Sequence, residues 1–154
     1  KEIESDWCGR IRSPKLGFRV VAPPSELAHT SELFIRARAA SGGSKAAALE
    51  AAGDLREIEE QVSESVFSKY AGYFKAWAAS QVTRSTAAFI SELSRYADKH
   101  GKVPFYGEAS LRALGQQLLG SERYADARST FERLPDGYDR REWLRRCDAK
   151  LVEQ

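Results

Sequence analysis

The chain is poor in side chains that do chemistry. Its 154 residues hold two histidines, two cysteines and no methionine. His29 has neither a cysteine nor a second histidine at ligand spacing, so no metal site is read there. His100 falls at the C-terminal end of a predicted helix, where the helix dipole favours a protonated imidazole. No glycine-rich phosphate loop, His-Glu-x-x-His pair or nucleophile elbow occurs. No run approaches the roughly 18 apolar residues that a membrane span requires, so the folded chain is expected to be soluble. The formal net charge of +2 is too small to demand nucleic acid or an anionic membrane as partner. No catalytic residue, metal or cofactor is therefore expected. With Lys1 first and methionine absent, the chain is expected to be a trimmed or processed form.

Proline is also scarce, and three of the five prolines (Pro14, Pro23 and Pro24) lie at the start. With Gly9 and Gly17 they make residues 1–24 a loop-rich arm. Trp7, Ile11, Leu16, Phe18, Val20 and Val21 are too many apolar residues for a disordered tail. The arm is expected to pack on the body, with docking on a partner as the alternative. A disulfide between Cys8 and Cys147 would close a loop of about 139 residues (147−8) and stabilise by roughly 4–5 kcal/mol. An exported or organellar-lumen home would favour that bond and a cytosolic one would not. The alternative is two free thiols, Cys147 being a small buried residue.

What is present is helical periodicity. Residues 25–154 read as one all-α domain of five to seven helices arranged as antiparallel hairpins. The first helix starts after Pro24, with Ser25 as cap and Leu27, Phe34 and Ile35 inward. Gly42-Gly43 should stop it by supplying a left-handed residue. Ser44 opens an Ala-rich segment of high helix propensity. Gly53-Asp54 is expected to interrupt this segment, Asp54 with Glu57 forming a capping box. Leu55, Ile58, Val62, Val66, Tyr70, Tyr73 and Trp77 then recur about every 3.67 residues ((77−55)/6), which predicts one nearly straight central helix. A break near 80–84 leads to a helix over 86–100 with Phe89, Ile90, Leu93 and Tyr96 inward. After the connector 103–107, whose aromatics are expected in solvent, comes a hairpin over 108–134. The turn Pro135-Asp136-Gly137 should use a positive φ at glycine. A final helix over 139–152 is read as capped by Asp139 and Glu142, with Trp143, Leu144, Cys147 and Leu151 inward.

The hairpin 108–134 carries Leu111, then Leu114-Gly115, then Tyr124, Ala127 and Phe131. In this it resembles a tetratricopeptide repeat, which sets a large residue and Leu-Gly on its first helix and an aromatic, a small residue and Phe on its second. Leu118 stands where the family has tyrosine, and the inter-helix turn lacks Gly-Asp-Tyr. Small Gly115 and Ala127 are expected to face each other. Trp143 and Cys147 repeat the spacing of Leu111 and Gly115 after 32 residues (143−111, 147−115), which suggests a degenerate second unit or a capping helix. The resemblance implies a protein-binding scaffold that takes a peptide or partner helix between hairpins.

The expected partner-binding residues are Arg112, Gln116 and Gln117 beside the first helix of the hairpin, with Arg141 and Arg145 beyond. Two other readings stand against this one. As a structural helix-bundle subunit of a larger assembly, the chain would use Tyr70, Tyr73, Phe74, Trp77, Phe105 and Tyr106 as interface. As an enzyme, or the accessory helical domain of one, it would use His29 or the carboxylates Glu57 and Glu60. Glu57, Glu60 and Glu64 share a helix face, but such runs are ordinarily solvated.

Overall fold

The computed structural model describes residues 24–61, 65–103 and 105–153. The expected N-terminal arm, with Cys8, lies outside them. Seven helices follow in order: α1 (Ser25–Ala40), α2 (Lys45–Gln61), α3 (Val66–Thr83), α4 (Thr86–His100), α5 (Tyr106–Gly120), α6 (Tyr124–Glu132) and α7 (Tyr138–Val152). No strand occurs among the described residues. Each helix packs on the next through a short link, so neighbours run antiparallel. In addition α1 touches α3 and α3 touches α5. α1, α3 and α5 therefore lie side by side in one layer, with α2 and α4 packed against it from the other side.

The main correction concerns the central helix. The periodic run from Leu55 to Trp77 is two helices, α2 and α3, folded against each other. Ser65 starts the second: its hydroxyl accepts the Ser68 N–H at 3.1 Å, which satisfies one of the N–H donors that a helix start leaves unpaired. Each half carries its own apolar stripe, and the period runs on across the break. Leu55 and Ile58 belong to the cluster shared with α1, whereas Tyr73 and Trp77 pack against the cluster shared with α4 and α5. Leu55 and Ile58 are buried from α2. Val62 and Glu64 lie outside the described residues.

Smaller expectations also change. α2 runs through Gly53 without a break, and Asp54 binds the Arg36 guanidinium with two hydrogen bonds of 2.9 Å instead of capping a helix. Its actual start uses Ser44, whose hydroxyl accepts the Ala47 N–H at 3.3 Å. Pro24, not Ser25, is the N-cap of α1, and Leu33 rather than Ile35 is buried, Ile35 being 65% exposed. No described glycine lies in the left-handed region; those positions belong to Arg84, Phe105 and Glu122. α1 thus ends through Ser41 in the right-handed region, and Gly137 is extended at φ 172°. Asp139 makes no cap; it pairs with Arg112, while Glu142 accepts from Arg145 and Arg146. Leu151 lies at the surface.

Two apolar clusters fill the interior, and α3 belongs to both. Ala71 and Ala78 pack with Leu33, Phe34, Leu55 and Ile58 of α1 and α2. Ala76 packs with Phe89 and Leu93 of α4 in the second cluster, which continues through Leu111, Leu114, Phe131 and Cys147. Alanines on both flanks let α3 sit close to its neighbours on either side. Gly72 serves the same end, since a Cβ there would stand 2.8 Å from the Tyr96 ring. In the C-terminal hairpin Leu111, Leu114, Gly115, Leu118, Ala127 and Phe131 are all buried. The atoms nearest to a Cβ at Gly115 all belong to the Phe131 ring.

Candidate partner-binding groove

With its flanks made small, α3 directs its large residues onto one stripe. Tyr70, Tyr73, Phe74 and Trp77 follow the helical period and point between α1 and α5. Phe74 meets Phe34 of α1 edge-on at 5.7 Å between ring centroids. Tyr106 of α5 closes the other side, 4.7 Å from Tyr70, 5.2 Å from Tyr73 and 5.1 Å from Phe74. Trp77 leans on Phe89 of α4 at 4.8 Å. Pairs at these distances and tilts match the ring quadrupoles.

Phe34 is buried, but Tyr70, Tyr73, Phe74, Trp77 and Tyr106 are only half covered. Tyr73, Phe74 and Trp77, with Arg38, Gly42 and Gly43 at the end of α1, line a cavity of about 430 Å³. The Arg38 guanidinium lies 5.8 Å from the Phe74 ring centroid, within cation–π range. Burial raises the Tyr73 hydroxyl above its ordinary pKa, so it stays protonated and able to donate. The lining offers flat aromatic faces, the Tyr73 phenol, Ser41 and the Arg38 guanidinium. Arg38, Gly42 and Gly43 were missed in the sequence because they become wall residues only when α1 is laid across α3.

The sequence-predicted partner residues occupy other ground. Arg112 is half-buried and bridges α5 to α7, its guanidinium 3.1 Å from Asp139 and 3.6 Å from Glu108. Its Nε is buried and has no partner among the described residues. Together with Glu108, Tyr138 and Arg140 it lines a cavity of about 260 Å³. Gln116, Gln117, Arg141 and Arg145 do not line that cavity. Gln116 and Arg141 are exposed, and Gln117 is half-buried. Arg145 grips Glu142 at 3.0 and 3.1 Å, and Arg146 joins it at 2.9 Å. These two guanidinium groups hold the Glu142 carboxyl down to about 2.

His29 and Glu57 are brought near each other, Nε2 standing 3.7 Å from Oε1, but both are largely open to water. Gln61 donates to the same Glu57 oxygen at 2.8 Å. Glu60 is exposed, and Glu64 lies outside the described residues. Among the described residues no three His, Cys, Asp or Glu side chains are placed to hold a metal ion. No described helix is long and apolar enough to cross a membrane. Cys147 is fully buried, and burial raises its thiol pKa. Comparison with protein-family models, with curated proteins and with solved structures finds no match.

Proposed function

We propose that this chain is a non-enzymatic, protein-binding helical scaffold whose inner layer, α1, α3 and α5, receives a partner peptide or helix. The observation that carries the reading is the half-covered aromatic stripe Tyr73, Phe74 and Trp77 beside Arg38. Aromatic residues and arginine are the side chains most enriched where binding energy concentrates. In this reading α5, α6 and the start of α7 form a degenerate tetratricopeptide-like unit. The burial of Leu111, Leu114, Gly115, Ala127 and Phe131 together supports it. So does the flat stacking of Trp143 on Phe131 at 5.0 Å. Gln116, Arg141 and Arg145 would form a second, polar contact area along α5 and α7.

Selection of a random-peptide library on the immobilised protein tests the scaffold reading. A Cβ at Gly42 meets nothing within 4 Å, so Gly42→Phe should fill the groove without disturbing the fold. Selected peptides should lose at least about tenfold in affinity on this variant, the loss of one buried aromatic contact or more. Unchanged affinity would remove the groove from the site. Arg112→Ala, Arg141→Ala and Arg145→Ala test the second area in the same assay.

A further inference from the structure

A larger cavity, of about 670 Å³, lies between the start of α3, the end of α4 and the α4–α5 link. Its floor is apolar: Ala97 and Leu111 are buried, and Tyr70 and Val103 are half-buried. Its rim holds Lys69, Lys99, Lys102 and Arg133 against one carboxylate, Asp98. That carboxylate is already engaged, since Arg133 Nη1 donates to it at 2.9 Å. The three lysines are exposed, and among the described residues none has a carboxylate within ion-pair distance.

The negative pole of α4 also points here and would ordinarily repel an anion. Arg133 answers it: its Nη2 donates to the Ala97 carbonyl at 2.8 Å, and the Gly101 N–H donates to the same oxygen at 2.8 Å. What remains is an apolar concavity ringed by three uncompensated ammonium groups, within the size range of ligand sites. The positive field reaches the neighbouring imidazole: burial, then Lys99 and Lys69, lower the His100 pKa, with Glu59 of α2 opposing.

We infer that this cavity docks an acidic peptide segment, its carboxylates held by Lys69, Lys99 and Lys102 and an apolar side chain seated on Val103 and Leu111. The inference rests on the protein-binding reading above and assigns the partner's chemistry. Charge complementarity selects the occupant. A neutral apolar peptide would leave three cations unanswered, and a basic one would be repelled.

Parallel selections from one random-peptide library on the wild-type protein and on K69Q/K99Q/K102Q test it. The wild type should enrich peptides with Asp or Glu beside Leu, Ile or Phe. These should shift the amide resonances of 97–103, weaken with added salt, and lose about tenfold on the triple variant, as expected for three partly screened contacts. Lys102→Glu, a single change in the link, should give a loss in the same direction if the triple variant folds poorly. Enriched peptides without acidic residues, or acidic ones that bind both proteins equally, overturn the inference. If their shifts then map to 38–43 and 73–77, the scaffold reading stands without it; if no peptide is enriched, both fall. Sedimentation at low salt covers the remaining occupant: a dimer of wild type that the triple variant loses would give the cavity to a second copy, and overturn the peptide.

Discussion

Gly115 lies directly beneath the ring of Phe131: a Cβ on residue 115 would stand 2.4 Å from Phe131 Cε1 and 2.5 Å from Cζ. Phe131 is itself fully buried and stacked on Trp143, so it has little room to withdraw. Gly115→Ala should therefore destabilise by about 1–3 kcal/mol from overpacking, although alanine gains about 1 kcal/mol of helix propensity. Gly53→Ala isolates that gain. Gly53 lies inside α2, exposed, with nothing within 4 Å of its Cβ position, and should stabilise by about 0.5–1 kcal/mol. Urea unfolding of both variants gives the comparison. Equal and favourable effects would mean that α5 and α6 are not in contact at this point.

The same pair of glycines shows what was legible in the sequence. The hairpin 108–134, the helix 86–100 and the final helix were readable because each has an apolar stripe with a Gly or Pro signal at one boundary. α2 and α3 read as one helix because two separate apolar stripes can stay in phase across a turn; only Ser65 marks the new start. Gly53 reads as a break in the sequence because composition alone does not distinguish a tolerated helical glycine from a terminator. At the candidate groove the aromatic stripe was visible, whereas Arg38 and the α4–α5 cavity were not. Walls made by separate helices leave no local spacing to read.

Arg84 ends α3 at φ 50°, ψ 29°, with its N–H donating to the Ser80 carbonyl at 2.8 Å. This is the left-handed cap position that glycine normally fills, and a Cβ there is strained. The Arg84 side chain is exposed. Arg84→Gly should raise stability by about 0.5–1 kcal/mol, and Arg84→Val, β-branched, should lower it. Thermal unfolding of the three proteins checks the order; a neutral or destabilising glycine would show that α3 does not end at Thr83.

His100 offers a pH test. Burial, followed by the charges of Lys99 and Lys69, depresses its folded pKa below the ordinary 6.5, and Glu59 works against them. The unfolded chain therefore takes up this proton at higher pH than the folded one. The contribution is present above the unfolded value and is lost as pH falls through the folded one, so acidification below about 6.5 should weaken the fold. Lys99→Gln should move the pKa back upward and narrow that window. Imidazole titration by NMR reads both; a wild-type His100 titrating above the ordinary value would mean that it lies outside this basic surround.

Phe105 and Tyr106 are adjacent aromatics with opposite environments. Phe105 takes φ 63°, ψ −64°, which is unfavourable for a residue with a Cβ, and its ring is 80% exposed. Tyr106 is inserted among Tyr70, Tyr73 and Phe74. Tyr106→Ala removes three aromatic contacts where α5 meets α3 and should cost about 2–3 kcal/mol. Phe105→Gly relieves backbone strain and exposes little new apolar surface, so stability should stay level or rise by up to about 1 kcal/mol. If instead Phe105→Gly destabilises as much as Tyr106→Ala in urea unfolding, the Phe105 ring is an anchor of the fold, and the strain there has a structural cause.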